Sequence, residues 1–105
     1  MTNPSDVLIA AANHMRERAS SYDAPQGERS MGKTVQMFNA LIGSGKYITT
    51  EQGWLFMVIL KLVRCQQGEF NLDNYEDLAA YAALAAEAAD IARPTGPRRD
   101  TAVND

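Results

Sequence analysis

The residues with the most chemistry to offer stand in one short run, Gly27-Glu28-Arg29-Ser30-Met31-Gly32-Lys33-Thr34. Letter for letter this is G-x-x-x-x-G-K-[ST], the spacing that wraps backbone N–H donors around a phosphate and brings a lysine to its outer oxygens. Such a loop needs a buried strand before it and a helix after it. Arg18 to Gln26 holds no apolar strand run, and no second strand ends in an aspartate that would hold Mg²⁺. A parallel sheet covered by helices on both faces does not fit a chain of 105 residues already filled by helical segments. What survives is weaker: a helix start with Arg29 and Lys33 beside it, able to hold an anion through free N–H donors. Gly43-Ser44-Gly45-Lys46 is a poorer copy, because Tyr47 stands where Ser or Thr is needed.

Lys61 and Arg64 form a second constellation, set in the apolar segment Trp54 to Val63. Charges there are costly unless paired. Asp73 and Asp77 lie at i and i+4 of the next helical segment, with Tyr81 one turn further on. We expect a Lys61/Arg64–Asp73/Asp77 network that orients the third helix against the fourth. The same groups, with Tyr22, Arg29, Lys33 and Tyr81, are the candidate site for a phosphate-bearing ligand.

The remaining reactive types give less. Asp73-x-x-Glu76 and Glu87-x-x-Asp90 fall on one predicted helix, and the third helix has no carboxylate after Glu51, so the acids do not converge on a metal. Glu76, Glu87 and Asp90 read instead as an acidic face for a partner protein. His14 is the single histidine, which leaves no His-based ligand set and no base–nucleophile pair; we expect it on an exposed helical face. Cys65, the single cysteine, excludes an internal disulfide and a Cys-cluster zinc site, and reads as a packed thiol. No metal or other cofactor is expected, and no catalytic residue is assigned.

Bulk properties narrow the partners. Ten Lys and Arg are scattered among thirteen Asp and Glu, giving a net charge of −3, so direct binding to duplex DNA is not expected. The longest apolar run, Trp54 to Leu60, is far shorter than the roughly 20 residues a membrane span needs. The first residues lack the basic stretch and apolar core of a signal peptide, and the expectation is a cytoplasmic protein.

The elements that must position these groups are helices. Ser5 is the expected N-cap of the first, on which Leu8, Ala12, Met15 and Ala19 mark one face. The second starts near Ser30, repeats that spacing at Met31, Val35, Phe38 and Ile42, and stops at Gly43. Thr49 and Gln52 form the capping box of the third, which is apolar on nearly every side and is therefore expected to be the buried central element. Gly68 ends it. The fourth runs from about Asn71–Asn74 to Ala92, is rich in alanine, and packs through Leu78, Ala82, Ala85 and Ala89. Arg93-Pro94 stops it. The expectation is an all-α, compact four-helix bundle in a helical domain of residues 1–93, with a flexible, disordered C-terminal tail over 94–105. So short a chain buries only about two thirds of its surface, which favours a homodimer.

The chain resembles a family of small phage and prophage proteins of uncharacterised function. The likeness rests on Arg18-Ala19-Ser20-Ser21-Tyr22-Asp23 with Gly27-Glu28-Arg29, on Trp54-Leu55-Phe56-Met57 leading to Lys61-Leu62-Val63-Arg64, and on Asp73-Asn74-Tyr75-Glu76-Asp77-Leu78-Ala79-Ala80-Tyr81-Ala82. The last segment is also similar to the final helix of helical, MazG-like nucleotide pyrophosphohydrolases, though the opposite carboxylate pair is missing. The phage resemblance implies accessory work in an infected cell, such as occupying a host bacterial protein. The leading expectation is a non-enzymatic interaction protein that inhibits a host factor, for example an antiviral-defence component. Binding of a nucleotide or signalling phosphate is the alternative, and pyrophosphohydrolysis the next.

Overall fold

The computed structural model describes residues 2–22, 30–43 and 45–94, without the side chains of Ala19, Ser21 and Tyr22. It is all-α. The helices are α1 (Pro4–Tyr22), α2 (Ser30–Ile42), α3 (Thr50–Cys65) and α4 (Leu72–Ala92), with no strand among the described residues. The tail beyond Pro94 lies outside them.

Local chemistry sets the ends. Asn3 caps α1, its side-chain Oδ1 accepting from the Ser5 N–H at 2.8 Å. The helix therefore starts one residue before the expected Ser5 cap, with Pro4 in the first helical position, where its missing N–H has no consequence. Gly43 follows α2 at φ +62°, a conformation an L side chain resists, and returns its N–H to the Asn39 carbonyl at 3.0 Å. Asn39 also holds the next loop: its amide donates to the Ile48 carbonyl and accepts from the Ile48 N–H, both at 3.0 Å. The capping box of α3 is present in full, with the Gln52 N–H on Thr49 Oγ1 at 3.1 Å and the Thr49 N–H on Gln52 Oε1 at 2.9 Å. Asn71 caps α4 through the Asp73 N–H at 3.0 Å.

The central element is α4. It packs along α3 on one side and against α1 on the other, while α2 packs on α3. Trp54, Leu84 and Ala85 form the core, with Met15, Met31, Met57, Tyr81 and Ala88 against them. Gly53 is where α2 meets α3: a Cβ there would lie 2.6 Å from Met31 Sδ and 2.9 Å from Val35 Cγ2. Absence of a side chain is what lets the two helices approach.

The expectation that α3 is buried all round is not met within one chain. Its inner stripe, Gly53, Trp54 and Lys61, is buried, but Leu55, Phe56, Ile59, Leu62 and Val63 are exposed, Phe56 at 66%. Those five recur at i, i+1, i+4, i+7 and i+8, one helical face that no other element covers among the described residues. The second half of α2 behaves alike: Met31 and Val35 pack inward, but Phe38 and Ile42 of the expected stripe are exposed, with Met37 and Leu41 beside them. The face of α1 is also rotated. Leu8 is exposed, and the inward positions are Val7, Ala11, His14, Met15 and Arg18.

Candidate functional site

Where α1, α3 and α4 meet, a polar junction replaces the apolar core. The Asn71 cap fixes the start of α4, so Asp73, Glu76, Asp77 and Tyr81 follow one another at helical spacing along one flank. Lys61 enters from α3, and its Nζ lies 2.8 Å from Asp77 Oδ2. Arg18 enters from α1: its Nη2 donates to Asp77 Oδ1 at 3.3 Å, and its guanidinium lies 5.4 Å from the Tyr81 ring centre. Tyr81 in turn stacks on Trp54, with centroids 5.6 Å apart and planes 22° from parallel. The charges thus sit directly on the aromatic edge of the core.

One turn before Arg18 on α1 and one residue before Asp77 on α4, His14 Nε2 and Glu76 Oε1 are 2.8 Å apart, and Glu17 Oε1 is 3.9 Å from His14 Nδ1. Glu76 and Lys61 are both buried, at 8% and 9% exposure. Burial acts to raise the Asp77 pKa, but the hydrogen bond and charge of Lys61, with Arg18, outweigh it and hold the carboxyl below its ordinary value. The hydrogen bond to Glu76 raises the His14 imidazole above its usual value; burial opposes this, and the charges of Glu76, Asp77 and Glu17 reinforce it. One group is left over: Nη1 of Arg18 is buried with no hydrogen-bond partner among the described residues.

The structure brings together three of the residues singled out from the sequence, Lys61, Asp77 and Tyr81. Arg64 is exposed on α3 and pairs with neither Asp73 nor Asp77 among the described residues. Asp73 is also exposed and neighbours His14 and Glu76 rather than Lys61. Lys33 is exposed on α2. The Tyr22 side chain and Arg29 lie outside the described residues, as do Gly27 and Glu28 of the phosphate-loop pattern. Its remainder, Ser30 to Thr34, is the first turn of α2, where Thr34 Oγ1 donates back to the Ser30 carbonyl at 2.9 Å.

Of the acidic face, Glu87 is exposed and Asp90 half-buried, 3.4 Å from Arg93, whereas Glu76 is turned inward onto His14. A buried carboxylate cannot serve as an outer contact. The contribution of α1 was missed. His14 is not an isolated surface residue, and Arg18 carries half of the cationic side of the junction. The signal was present, because Val7, Ala11, His14 and Arg18 repeat i, i+4, i+7, i+11 one residue earlier than the apolar stripe.

A pocket of about 500 Å³ lies between α2, the start of α3 and the end of α4, bordered by Met31, Thr50, Glu51, Trp54, Glu87 and Ile91 among others. None of the junction's charged groups lines it, and it presents two carboxylates rather than cations. No helix among the described residues is long and apolar enough to cross a membrane.

No curated protein and no solved structure matches the chain. Its matched region, residues 6–89, contains the whole polar junction and the exposed faces of α2 and α3, and the family it matches is described as Domain of unknown function (DUF6378). The chain belongs to the DUF6378 family.

Proposed function

We propose that this chain is a non-enzymatic interaction protein, which acts by laying the outer faces of α2 and α3 on another protein. In line with the phage resemblance, the partner is a bacterial host factor that the chain inhibits. When purified without that factor, a second copy takes the same place. One observation carries the reading: Met37, Phe38, Leu41 and Ile42 on α2, and Leu55, Phe56, Ile59, Leu62 and Val63 on α3, are exposed as an apolar stripe on each helix. Single exposed apolar residues are ordinary on a protein surface, but stripes of this length on adjacent helices mark a binding face. The junction supports the reading from the other side, because its charges neutralise one another and hold helices together.

The test uses the immobilised full chain in bacterial lysate, beside a Leu41→Asp/Phe56→Asp variant. A specific host protein retained by the first and lost by the second supports the proposal. An identical set of retained proteins counts against it.

A second reading, a binder of a phosphate-bearing molecule, is favoured by Nη1 of Arg18, which has no partner among the described residues and lies beside the Tyr81–Trp54 stack. A nucleotide at one hundred times its dissociation constant would stabilise the fold by about 2.7 kcal/mol. A shifted melting midpoint that disappears in Arg18→Ala would favour this reading over the first.

A further inference from the structure

We propose that His14, Asp73 and Glu76 form a binding site for one divalent transition-metal ion of the zinc type, independent of the apolar faces. Each offers one ligand atom, and these atoms lie within 4.8 Å of one another. Two come from the first turns of α4 at i and i+3, hence from one side of that helix, and the third crosses from the middle of α1. Around a tetrahedral zinc with bonds near 2.0–2.1 Å, ligand atoms stand about 3.3 Å apart. The 2.8 Å His14–Glu76 contact needs to open by about half an ångström, and separations to the exposed Asp73 carboxylate, at most 4.8 Å, need to close by up to about 1.5 Å, to admit the ion.

Charge favours the ion. Among the described residues, Lys61 and Arg18 both pair with Asp77, so neither Asp73 nor Glu76 has a Lys or Arg partner. Two carboxylates and a neutral imidazole balance a doubly charged cation. Imidazole with carboxylate suits zinc and its neighbours better than Mg²⁺, which prefers oxygen ligands alone. Glu17 lies 3.9 Å from His14 Nδ1, too far for a hydrogen bond, and would have to move closer to orient a metal-bound imidazole as carboxylates commonly do. Access is open, because Asp73 is exposed and Glu76 borders a hollow of about 350 Å³ between the starts of α1 and α4. Three protein ligands leave a position for water or for a donor from a partner.

The untagged full chain should bind one Zn²⁺, raise its melting midpoint on doing so, and develop visible absorption when Co²⁺ replaces zinc. Asp73→Asn changes an exposed side chain and leaves the Asn71 cap in place, and His14→Gln keeps a donor for Glu76 while removing the ligand nitrogen. Each should weaken Zn²⁺ binding at least tenfold with the far-ultraviolet circular dichroism unchanged. Cys65→Ser should bind as the unaltered chain does. No saturable binding at one ion per chain, or an affinity unchanged in both ligand variants, would overturn the proposal.

Discussion

The α1–α3–α4 junction and the outer side of α2–α3 treat the two kinds of side chain in opposite ways. At the junction, Lys61 and Glu76 are buried and matched to Asp77 and His14. On the outer side, Leu41 is 83% exposed. Folding by itself would favour the reverse arrangement. Buried ion pairs stabilise weakly but penalise every alternative packing, so the junction fixes how three helices sit. The apolar stripes are left uncovered by the described helices, and under the proposal above they belong to a partner.

Substitutions should separate the two regions, and the largest effects belong to the junction. Asp77→Ala strands Lys61 and Arg18 in a nearly dry site, and should destabilise the chain by about 3–5 kcal/mol, read as a lowered urea midpoint. Truncating Trp54 to Ala, in the core beneath, should cost about the same. Gly53→Val drives two methyl groups into Met31 and Val35 and should cost about 1–3 kcal/mol, loosening α2 from α3. Gly53→Ala should cost less, since the gain in helix propensity offsets part of the clash. Thr49→Ala removes the α3 cap and should cost about 1 kcal/mol. Leu41→Asp and Phe56→Asp should change the stability of a monomer by under about 0.5 kcal/mol, yet abolish association. If either charged variant unfolds the chain, the two regions are not separate.

Acid and base should divide the junction itself. Asp77 has a folded pKa below the ordinary 3.8, so its contribution is complete above that value and is lost as pH falls through the lower, folded one. His14 has a folded pKa above the ordinary 6.5, so its contribution is complete below that value and is lost as pH rises through the higher one. Urea midpoints between pH 3 and 9 should therefore fall at both ends. Asp77→Asn should flatten the acid limb and His14→Gln the neutral one.

Much of this fold was legible in the sequence. The capping box at Thr49–Gln52 and the glycine after Ile42 gave helix ends, because caps are local chemistry. The Lys61–Asp77 pair was also within reach, since a lysine in so apolar a helix needs a nearby acid. What failed was the choice of face. In α1 the apolar stripe at Leu8 and the mixed stripe at Ala11, His14 and Arg18 are offset by one residue, and hydrophobicity alone favours the wrong one. The inward placement of the half-buried His14 and Arg18 depends on acids some sixty residues away, at Glu76 and Asp77, which no local window contains. The uniform apolarity of α3 points to a helix buried on all sides, and the structure corrects this: Leu55, Phe56, Ile59, Leu62 and Val63 are exposed, and α4 takes the central place.

Sedimentation velocity of the purified full chain, beside the Leu41→Asp/Phe56→Asp variant, tests the central claim most directly. The account predicts that the unaltered chain sediments as a dimer or larger at tens of micromolar, and the variant as a monomer of unchanged helicity. A monomeric unaltered chain at every concentration, or a variant that associates equally well, would contradict it.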